Sequence, residues 1–285
     1  MPFTPGDAEA VRAALQSGAL HPGRVVWLGA GVAFDVAFSA AGDAETVART
    51  ALGNARIDVV VQPVVRRRKR LLVADMDSTI IGQECLDEVA ARIGVGERVA
   101  ALTERAMRGE IDFAAALTDR VALFSGQPVS LLERTYAEAV TLNAGARTLT
   151  ATMRKHGAHC ALVSGGFTFF TSRVAQAAGF HSFIGNEFDI ADGKLTGRVN
   201  GPIAGADAKR ERLHELMAEL GIARDETMGL GDGANDIPML QAAGLGVAYH
   251  AKPKVRAAAP ARLDFADLTG VLYLQGYRRE EFVQG

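Results

Sequence analysis

Short, almost continuously apolar runs that alternate with amphipathic stretches are the feature that most constrains how this chain folds. They are LLVAD (71–75), CALVS (160–164), MGLGD (228–232) and LGVAY (245–249). Strands this apolar are buried on both faces, which is typical of a parallel sheet covered by helices. We therefore predict an α/β fold with a doubly wound, Rossmann-like parallel sheet.

The segments between these runs predict helices and two additions to the sheet. Glycines follow the helical stretches at Gly157, Gly179, Gly221 and Gly244, and glycine accepts the left-handed conformation that commonly ends a helix. Residues 186–199 contain the pair Asp192-Gly193, which predicts an appended β-hairpin. Residues 86–142 have helical periodicity without a strand-like run. They predict a helical cap, at about 85–142, inserted after the first strand.

The first 65 residues have a different pattern. Helical stretches at 8–16 and 43–52 and strand-like runs at 25–29, 32–38 and 57–63 predict an α-β-β-α-β order. This order indicates a small α+β domain over 1–65, similar to ferredoxin-like regulatory domains. The run GAGVAF at Gly29 resembles a nucleotide-binding loop, but its strand-like flanks favour a hairpin turn.

A dense basic run, RRRKR, occupies residues 66–70. It could contact nucleic acid, but it has no interleaved aromatic residues and lies between strand-like runs. We interpret it as a solvated linker, followed by one large domain over 71–285.

Charge and composition limit the classes of partner. The chain has 31 basic and 33 acidic side chains, so no overall field attracts nucleic acid or a membrane. Cys85 and Cys160 have no metal-ligand spacing, which indicates reduced thiols. No apolar run reaches the roughly 18 residues that span a bilayer, and the N-terminus lacks a signal peptide pattern. We expect a soluble, cytoplasmic protein that acts on a small molecule.

Polar residues follow three of the predicted strands. They are Asp75 and Asp77, Ser164, and the group Asp232, Asn235 and Asp236. Each alone could cap the next helix, but ligands of open parallel sheets bind at the carboxyl ends of strands, where these side chains converge. Four aspartates would repel one another without a cation, and their hard oxygen ligands suit Mg²⁺. The glycine-rich run GLGDGAND (229–236) is interpreted as a metal-holding loop, because its carboxylates would repel a phosphate.

Four of these segments resemble the signature of the haloacid dehalogenase-like phosphatases. DMDSTI (75–80) is similar to the first motif, SGG (164–166) to the second, Lys209 to the third and GDGAND (231–236) to the fourth. The resemblance implies that Asp75 is the nucleophile that attacks phosphorus, and that Asp77 protonates the leaving alcohol and then activates water. It also implies that Mg²⁺ is held by Asp75, the carbonyl of Asp77 and Asp232, with Asp236 in support.

The same resemblance implies the phosphate contacts. Ser164, the backbone of Gly165 and Asn235 would bind the phosphoryl group, and Lys209 would neutralise its charge in the transition state. Lys194 is the alternative lysine, but its position beside Gly193 predicts a surface turn.

The substrate follows from further likeness to one branch, the phosphoserine phosphatase subfamily. DMDSTIIGQE (75–84) resembles that subfamily's first motif, which implies that Glu84 binds the substrate ammonium group. Arg120 would bind its carboxylate, and Met107 and Phe113 would cover the seryl carbons. One departure is Arg108, where the subfamily pattern has a second glycine.

The resemblance thus implies a magnesium-dependent phosphoserine phosphatase that catalyses the last step of serine biosynthesis, with O-phosphoserine as substrate. The first 65 residues would serve regulation or form a homodimer. Two alternatives stay open: a phosphatase or phosphotransferase for another small phosphomonoester, and a non-enzymatic phospho-acceptor. Asp77, placed to hydrolyse an acyl-phosphate, argues against the second.

Overall fold

The computed structural model describes residues 4–107 and 110–285. An N-terminal module, residues 4–65, contains α1 (Pro5–Ser17), β1 (Pro22–Gly29), β2 (Ala33–Phe38) and α2 (Ala44–Leu52). The two strands are antiparallel. Both helices and β2 contribute to a small separate core around Val11, Leu15 and Ala48. This module therefore has its own apolar interior.

The third strand of this module, predicted at 57–63, is not formed. The segment is instead held by side chains: Arg49 Nη2 donates to the carbonyl of Val59 at 2.9 Å, and Gln62 Nε2 donates to that of Leu274 at 2.5 Å. The Asp58 carboxylate accepts the backbone N–H groups of residues 264, 265 and 266. These bonds draw the segment toward the C-terminal part of the chain, so it does not pair with the β1–β2 edge.

A seven-stranded sheet forms the centre of the described chain. Its strands are β3 (Leu71–Ala74), β4 (His159–Phe167), β5 (Ser182–Ala191), β6 (Lys194–Asn200), β7 (Thr227–Gly231), β8 (Leu245–Tyr249) and β9 (Ala261–Leu263). They lie in the order β6-β5-β4-β3-β7-β8-β9, and every neighbouring pair is parallel except β5 and β6. The predicted doubly wound, mostly parallel sheet is confirmed. The predicted hairpin is the β5–β6 pair, whereas the three-residue β9 is too short to be recognised from its pattern.

Helices cover both faces of this sheet. They are α7 (Ala146–Lys155), α8 (Thr168–Ala178), α9 (Ala206–Leu220), α10 (Ile237–Ala242), α11 (Pro253–Ala258) and α12 (Gly270–Leu274). Alternate residues of β3 divide between the faces, because Leu72 belongs to the core that contains α7, α8 and α12, whereas Leu71 and Val73 belong to the core that contains α9, α10 and α11. Every helix within the described ranges is too short or too polar to span a lipid bilayer.

Besides α7, four helices lie in the connection between β3 and β4. They are α3 (Cys85–Arg92), α4 (Gly96–Met107), α5 (Phe113–Ala122) and α6 (Ser130–Ala139), and the described part of this connection contains no strand. α5 packs against β6. The ring of Phe113 lies so close to Gly165 in β4 that a Cβ atom added there would be 3.0 Å from the ring. α5 therefore lies over the end of β4 that contains Gly165.

Three of the four glycines expected to end helices have a left-handed conformation, with φ of 82° at Gly157, 80° at Gly179 and 61° at Gly221. Gly244 does not. A Cβ atom added at Gly244 would collide with the carbonyl oxygen of Arg224, so this position requires glycine because two backbone segments approach closely.

Arg66, Arg68 and Arg70 of the basic run are exposed to solvent, whereas Arg67 and Lys69 make specific contacts. Arg67 pairs with Asp35 of the N-terminal module through both terminal nitrogens, and its Nε donates to the carbonyl of Leu274 at 2.6 Å. Lys69 is only 7% exposed and donates to the carbonyls of Arg66 and Asp225. The run therefore joins the N-terminal module to the main sheet by specific contacts.

Candidate active site

Asp75 follows the central strand β3 directly. Its backbone N–H donates to the carbonyl of Leu230 in β7 at 2.9 Å, which extends the ladder by one bond, and its carboxylate Oδ2 lies 2.7 Å from Lys209 Nζ. Burial and the nearby Asp236 raise the pKa of Asp75, whereas Lys209 lowers it. The anionic form of Asp75 therefore depends on positive charge held beside it.

Asp77 lies two residues further, where the chain leaves the sheet. Its Oδ1 accepts the backbone N–H of Cys85, the first residue of α3, at 3.2 Å. Burial, and next the negative charge of Glu84, raise the pKa of Asp77 to about 7. A carboxyl group with such a pKa can carry a proton near neutral pH, as a general acid must.

Lys209, in α9, pairs with two carboxylates. Its side chain is 1% exposed, and its ammonium group contacts both Asp75 and Asp236. Burial lowers the pKa of Lys209, but the two carboxylates raise it above its ordinary value. The lysine is therefore a fixed cation. Lys194, the alternative, is exposed at the start of β6.

The loop after β7 supplies two more carboxylates with different environments. Asp236 Oδ2 accepts the N–H groups of Asp232 and Gly233 at 3.0 and 2.8 Å, and its Oδ1 faces Lys209. Asp236 packs so closely on Gly231 that any Cβ atom there would collide with its side chain. Asp236 thus holds the loop through its backbone N–H groups. The carboxylate of Asp232 takes no part in these bonds.

The oxygen atoms around Asp75 fit a hard divalent cation. Asp75, Asp232 and Asp236 each offer a carboxylate oxygen within 4.8 Å of the others. Burial, and next the negative charge of Asp236, raise the pKa of Asp232 to about 6. No donor among the described residues bonds the carbonyl of Asp77, so this oxygen is available as a ligand. An all-oxygen set of this kind suits Mg²⁺.

Ser164 lies in the irregular last part of β4. Its side chain is 2% exposed, and its Oγ accepts the backbone N–H of Gly166 at 2.9 Å. A Cβ atom added at Gly166 would lie 3.1 Å both from Ser164 Oγ and from Asp77 Oδ2. Gly166 therefore lets the Ser164 hydroxyl and the Asp77 carboxylate approach each other.

Asn186, in β5, is a contact that the sequence analysis missed. It is 2% exposed, its Nδ2 donates to the carbonyl of Gly165 at 2.8 Å, and its Oδ1 accepts the N–H of Ala204 at 2.7 Å. It joins the Ser164–Gly166 segment to the loop before α9, which carries Lys209. An asparagine in a strand has no distinctive sequence signal, so only the structure reveals this role.

Thr79 and Asn143 were also missed. Thr79 Oγ1 donates to Asp232 Oδ1 at 2.9 Å, and the carbonyl of Thr79 accepts Asn143 Nδ2 at 2.8 Å. Thr79 lies within the first motif, so its position beside the acidic residues could have suggested a hydrogen bond. It orients the Asp232 carboxylate and occupies one of its oxygens.

The side chains expected to select the substrate have different surroundings. Glu84 is exposed and accepts the Ser78 hydroxyl at 2.7 Å. Burial lowers the pKa of the half-buried Arg120, which faces the negative charges of Asp87, Glu84 and Asp77. Phe113 lies against Gly165 and Gly205, and Asn235 is half-buried in the loop after β7. The Met107 side chain, like residues 108 and 109, is outside the described part of the chain.

Changing Asn186 to alanine is expected to lower stability and turnover together. Two partly buried polar groups, the Gly165 carbonyl and the Ala204 N–H, would lose their partner, which costs about 1–3 kcal/mol of unfolding free energy. Displacement of the Ser164–Gly166 segment should reduce kcat roughly 10- to 100-fold. Thermal unfolding and steady-state kinetics measure both. Asn200→Ala, which removes an exposed contact to Glu187, is the control, and equal effects of the two changes would refute the positioning role.

Comparisons with known proteins agree with this geometry. A model of the haloacid dehalogenase-like hydrolase family matches residues 72–241, more than half of the chain. The chain is 44% identical to a phosphoserine phosphatase of Streptococcus thermophilus over 204 residues, which cover 72% of this chain and 94% of that protein. It is 43% identical to one of Archaeoglobus fulgidus over 217 residues, 75% of this chain but only 63% of that relative.

A solved structure extends the likeness to nearly the whole chain. The crystal structure of a probable phosphoserine phosphatase from Vibrio cholerae superposes with a TM-score of 0.78 at 31% identity, over 98% of this chain and 85% of that one. Several relatives are longer than this chain, which spans 63% of the first and 55% of the Mycobacterium tuberculosis relative. The family resemblance predicted from the four motifs is confirmed, and this chain belongs to the haloacid dehalogenase-like hydrolases.

Proposed function

We propose that this protein is a magnesium-dependent phosphoserine phosphatase that forms an aspartyl-phosphate on Asp75. The observation that carries the proposal is the pairing of the buried Asp75 with Lys209 at the end of the central strand, with Asp77 beside it. The relatives named above as phosphoserine phosphatases support the choice of substrate.

In the first half of the reaction, an oxygen of Asp75 attacks phosphorus while the bond from phosphorus to the seryl oxygen breaks. Asp77, protonated near neutral pH, gives its proton to the seryl oxygen, so serine leaves as a neutral alcohol. Lys209, the Ser164 hydroxyl and the N–H of Gly165 neutralise the charge that develops on the phosphoryl oxygens.

In the second half, Asp77 is a carboxylate and acts as a base. It takes a proton from a water molecule whose oxygen attacks phosphorus, and the bond between phosphorus and Asp75 breaks. Inorganic phosphate forms, Asp75 returns to its anionic state and Asp77 regains its proton. Both aspartates therefore end the cycle in the protonation states in which they began it.

Bound Mg²⁺ would supply positive charge that lets an anionic phosphate approach an anionic carboxylate. Asp75, the Asp77 carbonyl and Asp232 are the proposed ligands, with Asp236 in support through its bonds to the loop N–H groups. Thr79 holds Asp232 in the orientation that this requires.

The head group of phosphoserine carries a carboxylate and an ammonium group, so its binding site needs one basic and one acidic residue. We assign Arg120 to the substrate carboxylate, because its planar guanidinium forms two parallel hydrogen bonds with such a group. Glu84 is assigned to the ammonium group, and Ser78 orients it. Phe113, which lies against Gly165, and Met107 would cover the carbon chain, and Asn235 would contact the phosphoryl group. A phosphatase for another small phosphomonoester is the second candidate, since it needs the same Asp75, Asp77 and Lys209 but not this charged pair.

Removing divalent metal is expected to stop phosphate release, and Mg²⁺ should restore it. The test is a phosphate-release assay over phosphoserine, other phosphorylated amino acids and sugar phosphates, with chelator and after adding Mg²⁺ back. We expect phosphoserine to give the highest kcat/KM. Activity that survives excess chelator would refute the metal assignment, and preference for a sugar phosphate would favour the second candidate.

A chain shortened to begin at Lys69 is expected to keep catalysis but to lose stability. All proposed catalytic residues lie beyond Lys69, and the Streptococcus thermophilus relative matches only 72% of this chain. The loss of Asp58, Gln62 and Arg67 removes contacts to residues 264–266 and 273–274, so the melting temperature should fall. Folded, inactive truncated protein would show that the N-terminal module completes the active site.

Cellular setting and assembly are part of the same proposal. Both cysteines are free and buried, in agreement with a reducing compartment, and we propose that the enzyme acts in the cytoplasm on a free metabolite. A homodimer and a regulatory role of the N-terminal module remain predictions.

A further inference from the structure

The outer strand β6 is bonded to the helical cap as well as to β5. The loop that joins α5 to α6 runs antiparallel to β6, with a bridge between Pro128 and Lys194. The N–H of Gly126 donates to the carbonyl of Leu195 at 2.8 Å, and the N–H of Leu195 donates to the carbonyl of Gln127 at 2.8 Å. Because β6 pairs with β5, and β5 pairs with β4, these bonds tie the loop to the main sheet.

Gly197, in β6, lets the end of α5 approach this strand closely. Its φ of 83° is in the left-handed region, and a Cβ atom added there would lie 2.9 Å from the Cβ of Ser125 and 3.2 Å from the carbonyl oxygen of Ala122, the last residue of α5. The Ser125 hydroxyl donates to the carbonyl of Thr196 at 3.0 Å. A side chain at position 197 would therefore push the end of α5 away from β6.

Apolar packing holds the same helix at both ends. Val121 at the end of α5, Phe124 just after it and Leu195 in β6 are each at most 1% exposed and belong to one core. At the start of α5, the ring of Phe113 lies against Gly165 in β4. The position of α5 is therefore set by β4 at one end and by β6 at the other.

Arg120 lies in the last turn of α5, at the end that β6 holds. Its Nε donates to the carbonyl of Ala116 at 3.2 Å, so the side chain is bonded to its own helix. The place of the guanidinium group therefore depends on the contact between the end of α5 and β6.

We propose that Gly197 is a positioning residue for substrate selection. By admitting the end of α5 against β6, it sets the distance of Arg120 from Asp75 and so the fit of the substrate carboxylate. This inference rests on the proposed function, in which Arg120 binds the carboxylate of phosphoserine. It adds a residue that determines selectivity outside the four family motifs and outside the cap.

Gly197→Ala is expected to lower kcat/KM for phosphoserine roughly 10-fold or more, because Arg120 is displaced, while kcat/KM for an aryl phosphate changes little. Gly157→Ala is the matched control. Gly157 has a φ of 82°, but an added Cβ atom would have no neighbour within 4 Å, and the residue precedes β4 at the end opposite to Gly165. This control should lower the melting temperature through backbone strain but keep the ratio of the two kcat/KM values.

A double variant separates positioning from a general loss of structure. If Gly197 acts through Arg120, adding Gly197→Ala to Arg120→Ala should leave the ratio of the two kcat/KM values where Arg120→Ala alone has brought it. Three results would overturn the proposal: equal falls for both substrates in Gly197→Ala, the same fall of the ratio in Gly157→Ala, or a further fall of the ratio in the double variant.

Ser125→Ala is the milder variant, to be used if Gly197→Ala does not fold. It removes only the hydroxyl bond to the Thr196 carbonyl, and it should lower the ratio of the two kcat/KM values roughly 2- to 5-fold. An unchanged ratio would then overturn the proposal.

Hydrogen exchange of the peptide that contains α5 tests the contact without any substrate. We expect faster exchange of this peptide in Gly197→Ala than in Gly157→Ala, and equal exchange would overturn the positioning role. An unchanged protein that does not prefer phosphoserine would contradict the proposed function, whereas faster exchange in Gly197→Ala would still show that Gly197 holds α5 in place.

Discussion

Replacing Asp75 by asparagine is expected to abolish turnover of phosphoserine, with a loss of roughly 10,000-fold or more in kcat. The amide has almost the same shape as the carboxylate but has no anionic oxygen to attack phosphorus. The fold should survive, because the oxygen of the new side-chain amide can still accept the N–H of Met76, as Asp75 Oδ1 does at 2.8 Å. Phosphate release measures the effect, together with thermal unfolding.

Asp192→Asn is the matched control for this change. Asp192 is exposed at the β5–β6 turn with φ of 49°, a conformation that asparagine also tolerates. It should behave as the unchanged protein. If Asp75→Asn were nearly as active as this control, after deamidation is excluded by mass spectrometry, Asp75 would not be the nucleophile.

Arg120 and Glu84 should determine which substrate is preferred, without taking part in phosphoryl transfer itself. Arg120→Ala and Glu84→Gln should each lower kcat/KM for phosphoserine roughly 30- to 1000-fold, because one charged contact in a closed site contributes about 2–4 kcal/mol. An aryl phosphate has no amino-acid head group, so its hydrolysis should change little. The ratio of kcat/KM for the two substrates is the measurement.

Arg134→Ala provides the control in the same helical region. Arg134 is exposed in α6, so its removal should leave both substrates unaffected. A parallel fall for phosphoserine and the aryl phosphate in Arg120→Ala would mean that Arg120 supports the cap helices, and another phosphomonoester would become the leading candidate.

Much of the main domain could be predicted because its strands are short and fully buried. The runs ending at Asp75 and Asp232 were recognisable from their continuous apolarity. The two strands are parallel neighbours, so the structure brings the carboxylates at their ends together. Lys209 was found only through the resemblance to the family. On an amphipathic helix, nothing in its sequence context indicates that it is buried between two carboxylates.

Other features depended on contacts that are distant in sequence. Asn186 is 21 residues from Gly165, and its role arises only when β5 and β4 lie side by side. The segment 57–63 has a strand-like pattern, but it forms no strand. Its residues Asp58 and Gln62 bond to the C-terminal part of the chain, and Arg49 of α2 bonds to one of its carbonyls. Tertiary hydrogen bonds therefore overrode a local preference, which periodicity alone cannot foresee.

The most direct test of the central claim is to locate the phosphoryl group during turnover. Phosphoserine and Mg²⁺ are mixed with excess enzyme, the reaction is stopped with acid within the first turnover, and peptides are analysed by mass spectrometry. We expect an added phosphoryl group on the peptide that contains Asp75, sensitive to hydroxylamine and absent in Asp75→Asn. A phosphoryl group on another residue, or rapid phosphate release with no phosphorylated peptide, would contradict the proposed reaction.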